Sequence, residues 1–283
     1  MKEIKKQVER NEKIMKRLHE HKEYVKNLGY EIVGIFVQGS QNYGLDIYDN
    51  DYMSDIDTKA IVLPTFDDFV AGKEPVSTTI ILPNNEHCDV KDIRIMFDIL
   101  KKANVNFLEI LFTDFCWVNE KYYSIFSLVQ NNAERLAFAN MKALLNGIAG
   151  MAMQKYVALK HPYPTIIDKI EKFGYDPKQL HHIYRMNQFM KRILAGETFQ
   201  SALIANDKKD LIEIKKGIQG LACAEQSACY INQETHDLKE KYFETHEIKI
   251  DENAYNIYNF VKKEILKKWF KEELKEKGDD AYD

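Results

Sequence analysis

The chain has 283 residues, room for one large or two ordinary domains. Apolar residues make up 45% and aromatics 12%, with only 12 Gly and 6 Pro, which supplies a sizeable core and excludes collagen-like or wholly disordered chains. The net charge of −4 is unevenly spread: residues 29–118 hold 6 Lys/Arg against 15 Asp/Glu, a local −9. Acids crowded in this way mark a solvated loop or a cation site, and they speak against a dedicated nucleic-acid track. No apolar run reaches the ~18–20 residues of a membrane span, and the opening MKEIKKQVERNEKIMKRLHE has charges where a signal peptide would be apolar. Four cysteines, Cys88, Cys116, Cys223 and Cys229, make no disulfide framework. A cytoplasmic protein with no membrane partner is expected.

Residues 2–28 read as one helix, with apolar positions at Ile4, Val8, Ile14, Leu18, Val25 and Leu28 and a stop at Gly29. EIVGIFV (31–37) reads as a buried strand ending in Gln38-Gly39-Ser40. A polar stretch then leads to SDIDTKAIVLP (54–64), a second strand. Thr65–Ala71 suits a short helix, and STTIIL (77–82) and EHCDV (86–90) two further strands around the turn Pro83-Asn84-Asn85. From Asp92 the period becomes helical, with Asp92 and Asn106 as N-caps. After Trp117 nearly everything reads as helix, broken at His161–Pro164, Gly174–Pro177 and Gly196, and Lys277–Asp283 reads as a frayed polar tail. The division expected is residues 1–118, a mixed α/β unit with its N-terminal helix, and residues 119–283, a helical domain.

The segment that carries chemistry is strand, Gly39-Ser40, 14 residues, Asp55-Ile56-Asp57, strand, followed by Cys88-Asp89-Val90. Two Asp at i and i+2 of a strand share a face. At ~4 Å their repulsion is roughly 4 kcal/mol at an effective dielectric of 20, so the pair needs solvent, a shared proton or a cation. A neighbouring strand carrying Asp89 would complete a carboxylate triad for Mg²⁺. Asp92 is the alternative third carboxylate, although the apolar flanks of Asp89 suit a buried strand better. Gly-Ser after a strand offers backbone N–H groups and a hydroxyl to a phosphate.

Gly39-Ser40, Asp55-Ile56-Asp57 and Asp89 together resemble the catalytic signature of the DNA polymerase β-like nucleotidyltransferase superfamily. Gly39-Ser-Gln-Asn-Tyr-Gly-Leu, Ser54-Asp-Ile-Asp, Asn104-Val-Asn-Phe-Leu-Glu-Ile-Leu-Phe and Phe173-Gly-Tyr-Asp-Pro-Lys-Gln-Leu-His-His-Ile-Tyr-Arg resemble a bacterial and phage group of predicted nucleotidyltransferases. The resemblance implies an α+β fold, a mixed-sheet catalytic domain followed by an all-helical C-terminal domain. It also implies transfer of a nucleoside monophosphate from an NTP to a hydroxyl, with pyrophosphate released. Gly39 and Ser40 would hold the β/γ-phosphates. Asp55, Asp57 and Asp89 would bind two Mg²⁺, or Mn²⁺, with Asp89 also helping to deprotonate the acceptor. That acceptor, a protein, an RNA end or a small molecule, is not readable. A regulator or antitoxin-like partner that binds nucleotide without turnover is the alternative.

Other features have ordinary readings beside the functional ones. Lys178, His182 and Arg185 fall on one helical stripe opposite Leu180, Ile183, Met190 and Leu194, so they are either a solvated face or a grip on triphosphate. Gln154 and Lys155 have a nucleotide role only by a weak motif match, in which Met151 stands where an aromatic is usual. Asp46, Asp49 and Asp51 lack the pattern of a Ca²⁺ loop and read as solvated. Tyr43 suits packing or base stacking, Gly44 a turn, Glu109 a helix surface or cap, and Cys223 and Cys229 helix packing. His181-His182 is no zinc pair, because adjacent helix residues do not share a face. The basic helices near the two ends alternate their charges as ordinary surface does.

Overall fold

The computed structural model describes residues 2–49 and 52–279. Helix α1 (Lys2–Asn27) buries Ile14, Leu18, His21 and Val25, one stripe at helical spacing, and stops at Gly29 with φ +88°. Strand β1 (Glu31–Gln38) leads through Gly39 into the single turn α2 (Ser40–Tyr43). Then come β2 (Asp57–Leu63), α3 (Phe66–Val70) capped by Thr65, β3 (Ser77–Ile81) and β4 (His87–Asp92). Asp92 caps α4 (Ile93–Lys101) by accepting from the Arg94 N–H, and its carboxylate also pairs with the Arg94 guanidinium.

The expected cap Asn106 gives way to Asn104, whose side chain accepts from the Asn106 N–H at the start of α5 (Val105–Leu108). A 3-10 turn over Glu109–Leu111 follows, then β5 (Cys116–Val118), a strand the sequence reading lacks. Three half-buried residues have no period to reveal, and β5 exists by pairing with β1, Gly34 opposite Val118 and Phe36 opposite Cys116.

The mixed sheet has the order β3-β4-β2-β1-β5. Strand β1 runs antiparallel to β2, with Gln38 opposite Asp57, so the Gly39 turn lies beside the start of β2. Strand β4 runs parallel to β2, with Asp89 opposite Lys59. Alternation then sorts the side chains. Ala60, Val62, Cys88 and Val90 join the core under α1, whereas Ile61 and Leu63 join the core on the opposite face. Asp57, Lys59 and Asp89 belong to that second face.

On the second face α4 packs against β2 and β4 and shares a core with Ile61 and Leu63. The rest of the chain is helical: α6 (Glu120–Asn131), α7 (Ala133–Ala137), α8 (Met141–Ala158), α9 (Ile167–Phe173), α10 (Pro177–Leu194), α11 (Phe199–Leu203), α12 (Lys208–Lys215), α13 (Leu221–Thr245) and α14 (Glu252–Asp279). Tyr175, Leu180, Ile183, Ile214, Ala224 and Ala228 form a smaller core within the helical part. The main core runs from Val33 through Phe97 and Phe189 to Ile265, so residues on both sides of 118 share it. Helix α14 returns to the sheet, where Trp269 donates to the Pro64 carbonyl and Glu273 accepts from the Phe66 N–H. The tail residues 280–283 lie outside the described residues.

Helix α10 corrects the stripe reading. Leu180, Ile183 and Met190 are buried as expected, but so are His181, Arg185, Met186, Asn187 and Phe189, because α8, α11, α12 and α13 all pack on α10. Cys223 and Cys229 are exposed on α13 rather than packed. No helix of the described residues is long and apolar enough to cross a membrane.

Candidate active site

The turn after β1 forms one wall of a cavity of about 300 Å³. Gly39 has φ +89° and Gly44 φ +70°, conformations that favour glycine. Between them the side chains are committed. Gln41 Nε2 donates to the Asp55 carbonyl at 2.7 Å and to Tyr48 Oη at 3.1 Å. Asn42 Nδ2 donates to the Val37 carbonyl at 2.9 Å and receives the Thr113 hydroxyl. Ser40 has no side-chain partner among the described residues, and it faces the cavity.

The carboxylates come from the start of β2. Asp55 is exposed, Ile56 is buried and Asp57 is half-buried, so the pair flanks an anchor in the α1-side core. The β3–β4 turn pins them. Asp57 Oδ1 accepts the His87 N–H at 2.8 Å, and Glu86 Oε1 accepts the Ile56 N–H at 3.2 Å. Glu86 is held in turn by Arg17 and by the buried His21, whose other ring nitrogen meets the Thr58 hydroxyl. Burial keeps His21 below its ordinary pKa, so the neutral ring donates from Nε2 to Glu86 and accepts at Nδ1 from Thr58.

Asp55 and Asp57 line the cavity, and Asp89 does not. Asp89 is one strand further out on the same face, paired with Lys91 at 2.8 Å. Among the described residues no cluster of three or more acid, His or Cys side chains is assembled to hold a metal. The donors therefore fit a hard divalent ion in kind, through the two cavity carboxylates, with the third held off by its lysine.

The helical part of the lining is cationic. Helix α8 contributes Lys155, α10 contributes Lys178, His181, His182 and Arg185, and α12 contributes Lys215. None of Lys155, Lys178 and Lys215 forms an ion pair among the described residues. Burial lowers the Lys155 pKa, and Lys178 lowers it further. Burial pushes Lys215 down to about 8, again helped by Lys178. Lys215 is 6% exposed, and its amine donates to the Leu45 carbonyl at 3.2 Å and reaches Ser54 Oγ at 3.5 Å. His181 falls to about 3 and His182 well below its ordinary value, both chiefly through burial, so both rings are neutral at pH 7. Although adjacent in sequence, both histidines line the cavity, with ring centroids 5.4 Å apart.

Beneath the cavity lies a buried charged group. Arg185, 4% exposed, stacks on the Tyr43 ring 3.1 Å from its centroid, donates from Nη2 to the Leu203 carbonyl, and leaves Nε without a partner. Lys59, also 4% exposed, donates to Gln38 and lies over the Phe107 ring. Glu109, 2% exposed, accepts from the Gly39 N–H at 3.2 Å and from the Tyr43 hydroxyl. Burial raises the Glu109 pKa while Lys59, Tyr43 and Arg185 oppose the rise.

Seven of the eight expected site residues, Gly39, Ser40, Asp55, Asp57, Lys178, His182 and Arg185, thus share one cavity, with Asp89 outside it. Lys155 and Met151 line it too, but Gln154 does not. Tyr43 is a packing residue under Arg185. Glu109 is not a surface residue; it stands at the C-cap of α5 with its side chain buried. The solvated reading of the acidic loop is corrected at Asp46, whose buried carboxylate is gripped by the Arg10 guanidinium at 2.6 and 2.7 Å. Asp49 pairs with Lys216, and Asp51 lies outside the described residues. Lys215, His181 and Glu109 are additions. The motif around Glu109 was visible in the sequence, whereas nothing distinguishes Lys215 from the lysines beside it in KKDLIEIKK.

No family model matches the chain, and no curated protein matches it. A comparison with solved structures pairs it with a nucleotidyltransferase-like protein from Exiguobacterium sibiricum 255-15 at 12% identity. The match covers 77% of this chain and 72% of that one, with a TM-score of 0.28, too low to establish a common fold.

Proposed function

We propose that this protein is a nucleotidyltransferase that moves a nucleoside monophosphate from an NTP to a hydroxyl acceptor in a Mg²⁺-dependent reaction. The observation that carries the reading is the meeting of cations and uncommitted carboxylates in one cavity. Three lysines without ion pairs and the partnerless Nε of Arg185 converge from α8, α10 and α12, and Asp55 and Asp57 line the same cavity. Cations crowded enough for Lys178 to lower the proton affinity of Lys155 and of the buried Lys215 are stabilised by a polyanion. Carboxylates in the same cavity are donors for the cation that accompanies a triphosphate.

Lys155, Lys178, Lys215 and Arg185 would bind the phosphates, and Ser40 would donate its hydroxyl and backbone N–H to them. The acceptor oxygen attacks the α-phosphorus, the bond to the bridging oxygen of the β-phosphate breaks, and pyrophosphate leaves with that electron pair. Asp55 and Asp57 would hold Mg²⁺ or Mn²⁺, which when bound supplies neutralisation of the phosphate charge. The proton of the acceptor hydroxyl passes to a carboxylate of the same wall. Asp89 is assigned to this wall as the third carboxylate, on condition that it leaves Lys91.

A second reading is favoured by that same ion pair. With Asp89 bound to Lys91, the site holds nucleotide without completing a three-ligand metal centre, as a regulator or antitoxin-like partner would. One experiment separates the two. The protein is incubated with each α-³²P-NTP and Mg²⁺ or Mn²⁺, alone and with lysate fractions, beside Asp57→Ala. Label transferred to a protein, an RNA or a small molecule by the unmutated chain alone supports the transferase and identifies the acceptor class. Nucleotide binding without transfer supports the regulator, and absence of both sinks the nucleotide reading.

A further inference from the structure

Glu109 makes two hydrogen bonds that bracket one structural unit. Gly39 opens the turn after β1 and Tyr43 is the last residue of α2, and the same buried carboxylate accepts from the N–H of the first and the hydroxyl of the last. Gln41 and Asn42, between them, are tied to Asp55 and Val37. Ser40 is left as the residue of this turn whose side chain is uncommitted and turned to the cavity. We infer that Glu109 is a positioning residue that staples both ends of the Gly39–Tyr43 turn and so aims Ser40 at the phosphates of a bound nucleotide, an inference that rests on the function proposed above.

The groups around it suit this role. The strongest charged or titratable influences on Glu109 are donors or cations: Lys59 from β2, Tyr43 from α2 and Arg185 from α10. One oxygen of the carboxyl group takes the Gly39 N–H and the other the Tyr43 hydroxyl, so one side chain serves both ends of the turn; an amide keeps both links, its oxygen accepting the N–H and its NH2 donating to the hydroxyl oxygen. A structural filler would need none of this. A buried methionine of similar length would fill the space with no polar end to satisfy, yet here a carboxyl group is buried beside Lys59 and Arg185.

The test uses Glu109→Met, which keeps the length and removes both acceptors, Glu109→Gln, which keeps one acceptor oxygen and loses the charge, and Tyr43→Phe. Binding of a fluorescent NTP analogue is titrated for affinity and for the number of sites, and hydrogen exchange is followed over residues 38–45 without nucleotide. The expected result is weakening of roughly tenfold or more for Glu109→Met at an unchanged number of sites. Glu109→Gln stays close to the unmutated protein and Tyr43→Phe falls between. Exchange over 38–45 speeds up in Glu109→Met and in Tyr43→Phe. A purely structural role would lower the number of sites and leave the affinity of the remaining ones alone, which would overturn the inference. So would a Glu109→Gln protein as weak as Glu109→Met, because the charge and not the staple would then matter. Should Glu109→Met fail to fold, Tyr43→Phe tests the same staple. If the unmutated protein binds no nucleotide, the functional reading fails by itself, and unchanged exchange in Tyr43→Phe separately removes the staple.

Discussion

Lys215 offers the sharpest test of the cationic wall. The residue is 6% exposed and its pKa is pushed from the ordinary 10.5 down to about 8. That gap corresponds to about 3 kcal/mol of unfavourable energy for keeping the charged form buried at pH 7. The sign follows from proton counting: between about 8 and 10.5 the unfolded chain holds more protons than the folded one, so stability rises with pH through that window and the strain is fully present below it. A phosphate placed beside the amine removes most of the strain, which is worth up to about a hundredfold in affinity. Lys215→Met removes the charge and keeps most of the stem. It also loses the bonds to Leu45 and Ser54, each worth about 1 kcal/mol, so the empty variant should be as stable as the unmutated protein or slightly more so. NTP affinity at pH 7, measured by calorimetry, should fall between about tenfold and a hundredfold. For the unmutated protein the affinity should break downward near pH 8 and be roughly tenfold weaker one unit higher, a break absent from the variant. A variant that is less stable by several kcal/mol and binds NTP normally would make Lys215 a tether between α12 and the Leu45–Ser54 loop, and would refute the reasoning.

Two further perturbations address the carboxylate wall. Glu86→Gln should lower stability by about 2 kcal/mol at pH 7, since it weakens the bonds from the buried His21 and from Arg17, which keeps only Glu20 as an ion-pair partner. Burial would raise the Glu86 pKa, but bonds from Asn84, Arg17 and His21 outweigh it and hold it below the ordinary 4.5, so this contribution is present above that pH and lost as pH falls through the lower folded value. Urea unfolding at pH 7 and pH 3 should therefore show the gap between the two proteins closing in acid. Lys91→Met deprives Asp89 of its ion pair, and Mn²⁺ affinity, followed by the resonance of the free ion, should rise several-fold, in line with the ~1 kcal/mol of a partly exposed pair. Unchanged affinity would leave Asp89 outside the metal site.

The parts of the fold that were legible in the sequence are those whose pattern is local. Strand β1 is a run of β-branched and apolar residues, α1 has an apolar residue at each turn of one face, and Asp92 precedes a helical period, and each is found within a residue or two of its expected place. What the pattern does not contain is decided by packing. Strand β5 is three residues long and owes its form to β1. The basic positions of α10 read equally as a solvated stripe or a grip on triphosphate until α8 and α12 are laid against them, and His181, beside that stripe in sequence, becomes part of the cavity only through this packing. Glu109 and Lys215 were opaque for the same reason. Each occupies an ordinary position in its own element and becomes distinctive through contacts to residues 66 to 170 positions away.

The acid excess of residues 29–118 shows how a composition signal resolves into a site. Several of these acids are neutralised nearby: Asp46 by Arg10, Asp49 by Lys216, Glu86 by Arg17, Asp89 by Lys91 and Asp92 by Arg94. Glu109 is buried against Lys59 and Arg185. Asp55 has no hydrogen bond to its carboxylate and no ion pair among the described residues, and Asp57 has only His87. Asp55 and Asp57, which the i, i+2 spacing singled out, stay out of Lys and Arg ion pairs among the described residues, and they open onto the cavity that Lys155, Lys178 and Lys215 also line without an ion pair. The two sets of charges are placed by different parts of the fold, Asp57 by the turn of β3 and β4 and the lysines by three separate helices. A ligand that presents anions to the lysines and a cation to the carboxylates satisfies both sets at once.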